Sequence, residues 1–310
     1  MSQADRVQMP EEESPAQLLI AALLRSTVRL VGAHTFRPGL PVGQHRRRIR
    51  RVTRLALPPR RARFARAACG GIPGEWVRPR GAAPTSLTLL YLHGGGYLSG
   101  SPRTHRAITG HLAVRCRARV FAADYRLAPE HPFPAAVDDA VAAYRGLLAE
   151  GVAPGDIVVA GDSAGGGLSL AAALRVRELE LPLPRALVAF SPWTDLTLAQ
   201  LAVEAPEIML AVPWLQEGVR AYVARGDARH PLVSPVHADL RGLPPTLIQV
   251  GTDEILRNDS RRLFERLREC AVPVRLEEYP RRWHVFQVHA GMLADADRAI
   301  ERVARFVAAS

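Results

Sequence analysis

Residues 157–160 form a short apolar run, Ile-Val-Val-Ala, that ends in Gly161-Asp162-Ser163-Ala164-Gly165 and passes into a stretch of small residues. No other feature limits the possible folds of the chain so tightly. A buried strand that leads without a spacer into a helix needs a sharp turn. Glycines on both sides of the apex let backbone approach backbone where a Cβ would intrude. A serine at that apex points its hydroxyl away from the sheet, at a helix N-terminus that favours developing negative charge.

The rest of the chain supplies a sheet for that turn. From about residue 85, apolar runs alternate with helical patterns. Strands are predicted at 85–92, 119–123, 157–160, 186–190, 246–250 and 274–279, with a helix over 134–150 carrying Val137, Val141, Tyr144 and Leu148 on one face. Alternating strands and helices imply an α/β fold with a mostly parallel sheet covered on both faces. The 310 residues, 48% of them hydrophobic, suffice for one such domain with a cap. Residues 1–75 read as an N-terminal helical cap segment and linker, with Pro15 opening an amphipathic stretch and residues 58–84 a Pro- and Gly-rich connection. Residues 76–310 read as the catalytic domain. The strand-helix alternation lapses between Trp193 and Ala238, which places a second cap insertion near 194–238.

Charge is unevenly spread. The net charge of +11 resides in residues 1–80, with 16 arginines against 5 acidic residues; beyond them the two signs balance. The chain contains no lysine, so every basic side chain is arginine. Arg46, Arg47, Arg48, Arg50, Arg51 and Arg54 cluster, but no aromatic platform accompanies them. A solvated helix face is therefore the reading, with no nucleic-acid partner. The longest apolar run, 18–30, is interrupted by Arg25 and Arg29 and preceded by Glu11, Glu12 and Glu13, which predicts neither a membrane span nor a signal peptide. Cys69, Cys116 and Cys270 fit neither a disulfide framework nor a zinc site, and a cytoplasmic protein is expected. A homo-oligomer is compatible with the sequence.

A second motif, His93-Gly94-Gly95-Gly96, follows the strand at 85–92. Consecutive glycines expose N–H groups to an approaching oxygen, as an oxyanion hole requires. These two motifs, together with Tyr125-Arg126-Leu127-Ala128-Pro129-Glu130 and Phe133-Pro134-Ala135-Ala136, resemble the hormone-sensitive-lipase family of esterases, bacterial family IV of the α/β-hydrolases. The resemblance runs from about Leu87 to the C-terminus. It implies cofactor-free, metal-free hydrolysis of small carboxylic esters of short to medium acyl chain. It also implies an oxyanion hole formed by the N–H groups of Gly95, Gly96 and Ala164, and supporting roles for His93 and Asp162.

Such a fold orders its residues serine, acid, histidine. Among ten histidines, His284 stands in a loop after the strand at 274–279, where the family places its general base. Arg281 and Arg282 depart from the glycine and small apolar residues usual there, which leaves the shape of the pocket mouth open. The acid lies in Gly251-Thr252-Asp253-Glu254-Ile255-Leu256. Both carboxylates are candidates. Aligning the family's leucine with Leu256 favours Glu254, with Asp253 as the alternative. The same apparatus could open a lactone or an amide, and a binding protein on a hydrolase fold remains the rival from another class.

Overall fold

The computed structural model describes residues 6–9, 14–81 and 85–310; the acidic residues at 11–13 lie outside them. Nine strands among the described residues form one sheet: β1 (Arg6–Gln8), β2 (Ala62–Cys69), β3 (Ile72–Pro79), β4 (Thr88–Leu92), β5 (Arg119–Ala123), β6 (Ile157–Asp162), β7 (Ala186–Phe190), β8 (Thr246–Gly251) and β9 (Val274–Tyr279). Their spatial order is β1-β9-β8-β7-β6-β4-β5-β3-β2. Only β3 runs against the others, pairing antiparallel with both β2 and β5.

Period-2 alternation assigns the strand side chains to two cores. Leu90 and Leu92 of β4, and Ile157 and Val159 of β6, face one side, with α4 (Ala135–Ala149), α5 (Ala164–Glu178) and α7 (Arg257–Glu269). Leu89, Tyr91, Val158 and Ala160 face the other, with α3 (Arg106–Arg115) and α8 (Ala294–Ala309). The apolar runs read from the sequence are thus central strands buried on both faces.

The stretch 58–84 differs from the connection expected of it. Its residues 62–79 form the β2–β3 hairpin, with Cys69 opposite Ile72 across a two-residue turn, Gly70-Gly71. Both turn glycines have positive φ, 57° and 78°, as the tight hairpin turns that match strand twist require. A Cβ on Gly70 would lie 1.9 Å from the Ala142 carbonyl of α4. The boundary expected at residues 75 and 76 falls inside β3.

Between β1 and β2 come α1 (Pro15–Thr35) and α2 (Val42–Val52); α6 (Val212–Val223) lies in the segment where the alternation lapses. Ser14 caps α1 and Pro15 opens it. As one continuous helix, α1 is long and apolar enough to cross a bilayer by length and composition, with a mean hydropathy of 1.4 in its best window. Leu19, Leu23 and Leu30 are exposed on its outer side, while Leu24, Val28 and Val31 face a cavity over the sheet.

Candidate active site

The strands β4, β6, β7, β8 and β9 are parallel neighbours, so their C-terminal ends share one edge of the sheet. Ligand sites of open α/β sheets lie at that edge. Four segments singled out in the sequence leave the sheet there: 93–96 after β4, Ser163 after β6, 252–256 after β8 and 280–287 after β9.

Ser163 has φ 54° and ψ −121°, between β6 and the first turn of α5. A non-glycine residue rarely occupies this region, and its surroundings must hold it there. The Ser163 N–H donates to the Phe190 carbonyl at 2.9 Å, and the Ser163 carbonyl accepts from the Trp193 N–H at 2.9 Å. A Cβ on Gly161 would meet the Gly165 carbonyl oxygen at 2.2 Å, and one on Gly165 would meet the Leu92 carbonyl oxygen at 2.0 Å. Both flanking glycines are therefore sterically required.

His284 Nδ1 lies 3.3 Å from Glu254 Oε1, and both side chains are buried. The other carboxylate oxygen, Oε2, accepts from Ser191 Oγ at 2.7 Å and from the Gly251 N–H at 3.1 Å. Burial pulls the His284 pKa down, but the hydrogen bond and charge of Glu254 outweigh it. Glu207 and Asp162 add to the net upward shift. Asp253 points elsewhere: its Oδ2 accepts from Arg25 of α1 at 2.7 Å. The two candidate carboxylates thus divide, Glu254 to the imidazole and Asp253 to the overlying helix.

The 93–96 loop is tied to the serine turn through Asp162. Its Oδ1 accepts from the Gly94 N–H at 3.0 Å and from Tyr91 Oη at 2.6 Å. Its Oδ2 lies 3.3 Å from His105 Nε2. Burial raises the Asp162 pKa, but His105, then Tyr91 and His93, bring it below the usual carboxylate value. His93 stacks on Tyr125 with ring centroids 4.3 Å apart. Burial and the neighbouring His105 push its pKa down to about 3, so it is a neutral ring. Gly95 and Gly96 adopt φ of 118° and 63°. Among the described residues, the N–H groups of Gly95, Gly96 and Ala164 have no hydrogen-bond partner.

Ser163, His284, Gly94 and Gly95 open into one cavity of about 260 Å³. Its walls are largely apolar, with Leu24 and Val28 from α1, Ile49 from α2, Trp214 from α6, and Met209. Neither Arg281 nor Arg282 lines it; Arg282 is buried and pairs with Asp295 at 2.6 Å.

Three contributors escaped the sequence reading. Ser191 bonds Glu254 and also accepts from the Val285 N–H at 3.1 Å, linking the acid to the histidine loop. Glu207 gathers the N–H groups of Ile208, Met209 and Leu210 on one oxygen and that of Ile255 on the other. His105 holds Asp162. None sits in a motif. The only sequence signal was position, since Ser191 directly follows the β7 run.

Comparison with known proteins matches residues 89–288 to the family model described as the alpha/beta hydrolase fold. An acetyl-hydrolase of Streptomyces hygroscopicus is 46% identical over 77% of this chain and 80% of its own length. An esterase of Acinetobacter venetianus is 38% identical over 76% of this chain and 78% of its own. A crystal structure of a hormone-sensitive lipase from a metagenome library superposes with a TM-score of 0.87, at 39% identity, covering 92% of this chain and 97% of that one. The chain belongs to the hormone-sensitive-lipase family of α/β-hydrolases. It is a carboxylester hydrolase. The family match includes Ser163, Glu254 and His284, whereas α1, α2 and the β2–β3 hairpin of this hydrolase precede it.

Proposed function

We propose that Ser163, His284 and Glu254 are the catalytic triad of this hydrolase, and that its substrates are small esters of short to medium acyl chain. One observation carries the assignment: the buried His284–Glu254 pair and the strained Ser163 turn border a single cavity. His284 accepts the Ser163 proton as Oγ attacks the ester carbonyl, and Glu254 fixes the tautomer and stabilises the imidazolium. The carbonyl oxygen gains charge and takes hydrogen bonds from the N–H groups of Gly95, Gly96 and Ala164. His284 then returns the proton to the leaving alkoxide, and water, activated by the same imidazole, releases the acyl group. Asp162 and His93 hold the oxyanion loop.

The chain-length proposal rests on volume. About 260 Å³ is small beside cavities that take drug-sized ligands. The acetyl-hydrolase named among the relatives points the same way. The N-terminal helices, together with α6, act as a cap on this cavity, and the partner is a small molecule, not nucleic acid. With one side of α1 committed to the cavity and Arg25 tied to Asp253, the protein is not an integral membrane protein. Three free cysteines fit a reducing cytoplasm.

A series of p-nitrophenyl esters from acetate to laurate, assayed on wild type and Ser163→Ala, tests this reading. Turnover should peak at short chains and fall by several orders of magnitude in the variant, on the order of 10⁶. Turnover that rises steadily to laurate, or a variant that keeps more than a few per cent, contradicts it.

A further inference from the structure

Beside the active-site cavity lies a second, larger one of about 550 Å³, and six of the eleven residues that line it are arginine. Arg47, Arg50, Arg51 and Arg54 follow one another at helical spacing, i, i+3, i+4 and i+7, along one face of α2 and the single turn after it. Arg103 lines the cavity with them. Among the described residues, none of these five guanidinium groups has an ion-pair or hydrogen-bond partner. Their neighbours are committed: Arg46 pairs with Glu130, Arg48 bonds the His34 carbonyl, and Arg106 is held by both oxygens of Glu75. Like charges at i, i+4 destabilise a helix, so this face carries an electrostatic cost that a bound anion would relieve.

Position gives the basin its meaning. Thr53, Ala56 and Thr104 belong to the walls of both cavities. The apolar cavity that holds Ser163 and His284 therefore abuts the arginine basin across a wall one residue thick. We infer that the arginine basin is a specificity subsite, and that the preferred substrates are esters bearing a phosphate or carboxylate group that the basin holds while the ester bond lies at Ser163. This rests on the hydrolytic reading above and narrows its substrate class. Guanidinium forks suit phosphate and carboxylate oxygens, and charge-assisted bonds of that kind are the strong ones. The anion is retained on one side of the shared wall, and the apolar part of the ester fills the other.

The test compares p-nitrophenyl butyrate with two anionic esters, mono-p-nitrophenyl adipate and 4-(butyryloxy)phenyl phosphate, on wild type and the triple variant Arg50→Gln, Arg51→Gln, Arg54→Gln. The readout is the ratio of kcat/KM for each anionic ester to that for the neutral one. At low ionic strength at least one ratio should exceed unity by about tenfold or more, and it should collapse in the triple variant. In the wild type alone, about 0.5 M NaCl should erode the same ratio, because these arginines are solvent-exposed; this arm needs no variant to fold. Ratios near unity for both esters, or ratios untouched by the substitutions, overturn the inference. So does a response of neutral-ester turnover to inorganic phosphate that vanishes in the triple variant, since the basin would then be an effector site for a free anion. Failure of the hydrolytic reading is separate: it would appear as turnover of all three esters by Ser163→Ala.

Discussion

Ser191 Oγ donates to the Glu254 carboxylate at 2.7 Å while accepting the Val285 N–H at 3.1 Å. One hydroxyl thus connects the ends of β7, β8 and β9 and fixes the acid relative to the histidine loop. Glu254 is fully buried, so every donor to it matters.

Ser191→Ala should accordingly lower kcat by roughly tenfold and depress Tm by a few degrees, through the loss of one charge-assisted bond. Steady-state kinetics and a thermal melt on the same preparation check this.

Glu254 and Asp253 should separate cleanly. Glu254→Gln removes the imidazole's partner and should reduce kcat by roughly 10²–10⁴. Asp253→Asn breaks a partly exposed pair with Arg25, worth about 1 kcal/mol or less, and should leave kcat near wild type. Parallel assays at one pH decide between them. A large loss confined to Asp253→Asn would contradict the assignment.

The His284 pKa is shifted upward, with Glu254 outweighing burial. With the proposed role of the neutral ring as general base, kcat/KM should fall on the acid side with a midpoint above about 6.5. The folded state also binds this proton more tightly than the unfolded chain does. The pair's contribution to stability is therefore complete below about pH 6.5 and lost as pH rises through the folded value. A pH–rate profile and pH-dependent denaturant midpoints measure the two effects, and an acid limb centred well below 6.5 would contradict the first.

Deleting residues 1–60 should uncover the apolar walls of the active-site cavity, lower solubility and change the chain-length preference. The intact protein should show no tight DNA binding. A steep salt dependence of binding to duplex DNA, indicating several phosphate contacts, would reverse that expectation.

The central sheet was legible because its strands are buried on both faces, so Leu89–Leu92 and Ile157–Ala160 read as unbroken apolar runs. The serine turn was legible because its geometry demands glycine on both sides. The β2–β3 hairpin was not, although Gly70-Gly71 is a two-residue hairpin signal. Arg63, Arg66 and Arg78 break the apolar pattern of its strands, and Pro73 and Pro79 argued for a connection. β1 is three residues long at the sheet edge, too short for any period to show. Ser191 and Glu207 act through backbone N–H groups brought together by folding, and such contacts leave no motif. The choice between Asp253 and Glu254 turned on one residue of register; in the fold Asp253 meets Arg25 and Glu254 meets His284.

The most direct measurement is covalent labelling of the intact protein with a fluorophosphonate, followed by peptide mass spectrometry. One adduct is expected, on the peptide carrying Ser163, formed in step with loss of esterase activity and absent from Ser163→Ala. An adduct on another serine, or full inactivation with Ser163 unmodified, would contradict it.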